Sequence, residues 1–211
     1  MSMIGNRDSF SRIPAGSKAC QTETESESEY SQYVPADVES TQDYFMQDIE
    51  CQNADMLWKK AKSLSERQFE GQNIEAMTQA YLRCMADFCM KKEDYRNGIK
   101  FVWALAEYGG DAVYQNLMGL LYSRGVGVEK NNFAALYWFN KSEEQGNLEA
   151  RENSDRIFQE CSGILSREDF AEQIGMLAQW CRTGRGPTPL DRERGAYWTG
   201  RMEKILTGFG N

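Results

Sequence analysis

Glu70-Gly71-Gln72-Asn73-Ile74-Glu75-Ala76 and Glu144-Gln145-Gly146-Asn147-Leu148-Glu149-Ala150 are two copies of one junction, and Glu107-Tyr108-Gly109-Gly110-Asp111-Ala112 stands between them. The closing alanines are 36 and 38 residues apart. Each copy reads as a helix end, a glycine able to take positive φ, and a small residue opening the next helix. A period of about 36 residues is that of a stacked helix-turn-helix solenoid, in which one unit cannot bury its apolar face without neighbours.

Working outward from these junctions, the chain changes character near Tyr44. Beyond it proline vanishes until Pro187, and apolar residues recur at spacings of three and four. Val113, Leu117, Leu120 and Leu121 share a helical face, as do Phe101, Leu105 and Tyr108. Strand-like alternation is missing. The sequence therefore predicts an all-α fold: a short α/α solenoid of about three helix-turn-helix units over 42–211. The units fall at approximately 76–110, 112–150 and 172–206. An extra helix near 155–165 is needed because Gly125 and Gly184 are more than one period apart, and a helix over 42–69 caps the N-terminal end.

Residues 1–41 read as a disordered, acidic Ser/Glu-rich arm. Gln21 to Glu29 carries no apolar side chain, so it cannot bury enough surface to offset its ordering entropy. Residues 1–50 hold ten acids and three bases, a net of −7, out of −8 for the whole chain. The body is nearly neutral, so the basic footprint that phosphate binding requires is missing and nucleic acid is not an expected partner. No apolar run reaches the roughly 20 residues of a membrane span, and no leader segment is read at the N-terminus. A cytoplasmic location is expected.

The chain has six cysteines and no histidine. None of Cys20, Cys51, Cys84, Cys89, Cys161 and Cys181 forms a C-x-x-C pair, so neither a metal site nor a cofactor is expected. In the cytosol the thiols stay reduced and read as small buried hydrophobes. Without histidine, Cys-His and Ser-His-Asp nucleophiles are excluded. Gly125-Val126-Gly127 does not follow a strand, so it reads as a repeat turn and not as a phosphate loop. Glu143 and Glu144 read as solvated surface. No catalytic residue is assigned, and the expectation is a non-enzyme.

Residues 112–150 resemble a Sel1-like repeat, a relative of the tetratricopeptide repeat. Met118-Gly119-Leu120-Leu121-Tyr122 carries the first-helix pattern, Gly125-Val126-Gly127-Val128 the G-x-G-V loop, and Ala135, Leu136, Trp138 and Phe139 the second helix, which closes on Glu144-Gln145-Gly146. Asn131 and Asn132 stand where Asp and an aromatic are usual. Ser142-Glu143 replaces two alanines, which predicts looser packing at the end of the second helix. Residues 76–110 are closer to a plain tetratricopeptide repeat. Near the C-terminus Leu177-Ala178, Gly184-Arg185-Gly186, Asp191, Gly195 and Tyr197-Trp198 repeat the landmarks, with Cys181 for the tyrosine and a loop one residue longer. Gly119, Ala86 and Ala178 are small contact positions, and Trp103, Trp138 and Trp198 are plugs in the opposing layer.

The resemblance implies a protein-protein interaction module, an adaptor or scaffold whose first helices line a groove for another protein. Carried over position by position, the partner-binding residues are Asn116, Leu120 and Ser123 in the full unit. They are Arg83, Asp87 and Met90 in the preceding unit, and Gln179 and Arg182 in the last. Charge reversal at Arg83 or Arg182 is expected to leave the fold intact. A bacterial immunity protein or secretion chaperone that occludes one partner is the second function implied. Apart from the resemblance, a carboxylate-dependent enzyme is a remote third reading. Oligomeric state is not legible. Arg182, Arg185, Arg192, Arg194, Arg201 and Lys204 face three acids in one C-terminal stretch, a basic cluster that suits an acidic partner or the chain's own arm.

Overall fold

Each helix after the first begins with a residue whose side chain satisfies the orphan N–H groups of the first turn. Asn73, Asp94, Asp111, Asn131, Asn147, Ser166 and Asp191 all accept such a bond. The structure, a computed structural model, describes residues 54–68 and 73–208. The arm over 1–41, the expected helix before Ala54, and Glu70-Gly71-Gln72 of the first junction lie outside those residues. Among the described residues there are eight helices and no strand: α1 Ala54–Gln68, α2 Ile74–Lys91, α3 Tyr95–Glu107, α4 Ala112–Arg124, α5 Asn132–Glu143, α6 Leu148–Ile164, α7 Arg167–Thr183 and α8 Arg192–Thr207. Consecutive helices pack as antiparallel neighbours, giving a short helical solenoid with α2/α3, α4/α5 and α7/α8 as its pairs.

The turns show why two of the pairs are copies of one unit. Gly125 ends α4 at φ 72° and Gly184 ends α7 at φ 63°, a left-handed conformation that a side chain would strain. After each turn the chain returns to the same place. Asn131 N–H donates to the Tyr122 carbonyl at 2.9 Å, and Asp191 N–H donates to the Cys181 carbonyl at 2.7 Å. Tyr122 and Cys181 are therefore equivalent, and the second loop is one residue longer. Gly127 (φ 71°) sits so close to α3 that an added Cβ would lie 2.7 Å from the Tyr95 carbonyl oxygen.

Both helices of each pair contribute to the core, and its largest fully buried aromatic side chains lie on α3 and α5. Trp138, Tyr137 and Phe139 of α5 are wholly buried, and Trp198 of α8 is 2% exposed. Trp103 of α3 meets Trp138 edge-on, with centroids 5.5 Å apart. Gly119 is what lets α4 approach α5, because a Cβ there would lie 2.4 Å from the Phe139 ring. The end of α5 is not loose. Ser142 is fully buried, and its hydroxyl donates to the Ala112 carbonyl at 2.6 Å. The hydroxyl thereby finds an acceptor on α4 and packs as closely as an alanine would.

Candidate functional site

The expected groove positions lie on the first helices, and most are already engaged within the chain. Arg83 of α2 is a third exposed. Its guanidinium Nη2 donates to Asp111 Oδ2 at 2.5 Å, while the guanidinium lies 6.0 Å from the Tyr114 ring centre. Asp111 also caps α4, accepting from Val113 N–H at 2.9 Å. Arg83 thus ties one first helix to the start of the next. Arg83→Glu is accordingly expected to cost about 1–2 kcal/mol by setting two carboxylates together, and Arg83→Gln less. Chemical denaturation measures both, and equal stability of the glutamate variant would show the pair to be idle.

Asp87 is exposed, while Met90 is half-buried and packs beside Gly98 of α3. On α4, Leu120 and Ser123 are half-buried, and Ser123 returns its hydroxyl to the Leu120 carbonyl at 3.0 Å. Asn116 is only 6% exposed and accepts from Asn153 Nδ2 of α6 at 3.2 Å. The same α6 carries Phe158, whose ring meets Phe170 of α7 at 4.9 Å. Helix α6 therefore touches both α4 and α7. Arg83 reaches the start of α4 at Asp111 and Tyr114, whereas Gln179 and Arg182 sit exposed on α7 beyond α6. Arg182 lines a separate cleft of about 520 Å³ with Arg192, Ala196, Thr199, Gly200 and Glu203 of α8.

A second cleft of about 460 Å³ lies where α5, α6 and α7 meet, lined by Phe133, Cys161, Ile164, Leu165 and Trp180 with Lys130 at its edge. Burial pushes the Cys161 thiol up, and the Asn132 amide that donates to its sulfur only partly opposes this. Burial likewise pushes the Cys181 thiol up to about 11. Both are protonated near neutral pH and are therefore poor nucleophiles. Among the described residues no cluster of three or more His, Cys, Asp or Glu could hold a metal ion. Among the same residues no helix is long and apolar enough to cross a membrane.

Sequence reasoning missed the most connected polar group of the structure. Arg194, counted in the basic cluster, is buried. Its guanidinium Nη1 donates to Asn140, Nη1 and Nη2 grip Glu144 at 3.2 and 2.6 Å, and Nε reaches Asp191 at 3.3 Å. Glu144 is thus an ion-pair partner and not merely solvated surface. The signal was present in the spacing: Asn140 and Glu144 are four apart on one face of α5, and Asp191 caps the helix that carries Arg194.

The matched turns, the glycine contacts and the buried second-helix tryptophans are the features of one repeat used twice. The sequence model of the Sel1 repeat matches residues 112–147 and 175–201. Two stretches match, consistent with a Sel1-like repeat protein. The first match spans α4, α5 and the junction after them, and the second covers the turn from α7 into α8. No curated protein matches the chain. Sel1 repeats are generally protein-protein interaction modules and typically have no enzymatic activity.

Proposed function

We propose that the chain is a cytoplasmic adaptor that holds a partner protein against the outer face of its first helices α2 and α4. The observation that supports this reading is the division of labour within the pairs α2/α3 and α4/α5. The second helices bury Phe101, Tyr137, Trp138 and Phe139, while the first helices carry the exposed carboxylate of Asp87 and the half-buried Met90, Leu120 and Ser123. A polar rim around partly exposed apolar side chains is the composition of a protein interface. Arg83, bonded to Asp111, acts in this arrangement as the strut that fixes the two helices in register. Gln179 and Arg182 belong to a second contact beyond α6.

The test is recovery of the partner by the full chain and by its Asp87→Arg variant from the same cells. Reversing an exposed charge costs about 1 kcal/mol or less even where the charge has a partner. A specific protein should therefore be retained by the native chain and depleted by the variant, with the variant still folded in its unfolding curve. Equal retention of every specific protein by both chains would remove α2 from the binding surface.

A further inference from the structure

The basic cleft between α7 and α8 has unspent charge, and the chain carries the segment that fits it. Of the six cations between Arg182 and Lys204, Arg194 is buried in ion pairs and Arg201 lies 4.7 Å from the Phe158 ring centre. Arg182, Arg185, Arg192 and Lys204 are exposed and form no ion pair among the described residues. Arg182 and Arg192 line a cleft together with Ala196, Thr199, Gly200 and Glu203 of α8. It is open beside Gly200, where an added Cβ would meet nothing within 4 Å. Such a trough admits an extended main chain and holds cations along its edge.

Between Lys18 and Ala54 the sequence carries nine acids and no base. Within that stretch Thr22 to Glu29 alternates hydroxyl and carboxylate without exception. In an extended chain this alternation puts Glu23, Glu25, Glu27 and Glu29 on one side, about 7 Å apart, and the small hydroxyl side chains on the other. Twenty-four residues separate Glu29 from Ala54. They can span up to about 80 Å, whereas a domain of this size has a radius of gyration near 15 Å. The segment can therefore reach any face of the helical body.

We propose that the segment Thr22–Glu29 docks in this cleft as the chain's own acidic ligand. Its carboxylates face Arg182 and Arg192, and its main chain lies over Ala196 and Gly200. The arm is then a resident competitor that an acidic segment of another protein must displace. This inference shares Arg182 with the second contact of the partner-binding reading but makes no use of the α2–α4 face, so Asp87→Arg and the peptide titration report on the two separately.

The probe is a synthetic peptide of residues Gln21 to Tyr30, added to two full-length chains: the native one and E23Q/E25Q/E27Q/E29Q, whose arm has lost its charge. At about 50 mM salt the peptide should shift the amide resonances of Arg182, Ala196 and Gly200 in the quadruple variant. It should bind the native chain about fivefold more weakly or worse, because the occupied fraction is closed to it. Binding should vanish at about 500 mM salt, and in a quadruple variant that also carries Arg182→Glu and Arg192→Glu. Equal peptide affinity for both chains, shifts confined to other helices, or no binding at all would each overturn the proposal. So would native α7 and α8 resonances that move on dilution, since the ligand would then be the arm of a second copy.

Discussion

Trp138→Ala is expected to remove about 3–5 kcal/mol of unfolding free energy, since Trp138 is the largest fully buried side chain among the described residues. The indole is wholly buried in α5. It meets Trp103 of α3 edge-on at 5.5 Å, and the Lys141 ammonium lies 5.6 Å from its ring centre. Removing some 200 Å² of buried aromatic surface costs roughly 5 kcal/mol at 25 cal/mol per Å². One feature works in the opposite direction. The Trp138 Nε1–H is buried without a hydrogen-bond partner among the described residues, a desolvation cost of about 1–3 kcal/mol that alanine relieves. Burial wins, and the orphaned N–H accounts for an effect near the lower end of the range. It also predicts that Trp138→Phe, which keeps most of the apolar bulk and deletes the N–H, loses less than half as much. Urea unfolding with unchanged m-value reads both variants. A loss below about 1 kcal/mol for the alanine variant would mean that the stack is not anchored at this tryptophan.

The repeat was legible because it is local. Gly110 and Gly146 take positive φ at the two junctions that the structure describes, and Ala150 is fully buried just inside α6. The tryptophan plug at Trp138 and the glycine contact at Gly119 follow from spacing within one unit. The position of α6 was not legible in the same way. It is fixed by side-chain contacts such as the amide pair Asn116–Asn153 and the ring pair Phe158–Phe170. Helical spacing shows which face a residue takes but not which partner it meets there. The consequence reaches the candidate site directly. Carrying groove positions from unit to unit assumes that first helices stand side by side, and α6 interrupts that row between α4 and α7. Arg83 shows the other limit: its place on the helix was readable, but its bond to Asp111 was not, so an apparent surface charge is part of the frame.

The same distinction between position and partner governs Arg194→Ala, which is expected to cost about 2–4 kcal/mol although charge counting places Arg194 on a solvated face. The side chain is 9% exposed and joins α8 to α5 through Asn140 and Glu144, with Asp191 at its Nε and the Tyr137 ring 5.5 Å away. Removing it strands Asn140, which is 8% exposed, and leaves Asp191 with the Tyr137 hydroxyl as its remaining side-chain contact across to α5. A buried acceptor without a donor costs about 1–3 kcal/mol, and the lost ion pair adds to that. Glu144 behaves differently. Its side chain is 57% exposed, so water replaces the guanidinium when the pair is broken from that side. Glu144→Ala is therefore expected to cost less than about 1 kcal/mol, while Arg194 keeps Asn140 and Asp191. Arg194→Lys should fall between the two, because a lysine restores the charge but cannot make the two-pronged contact. Hydrogen exchange adds a spatial readout: Arg194→Ala should speed exchange in α8 first, since that helix is held to α5 through its first turn. If Arg194→Ala and Glu144→Ala prove equally mild, the guanidinium is a surface charge after all, and α8 is held by Trp198 and its packing alone.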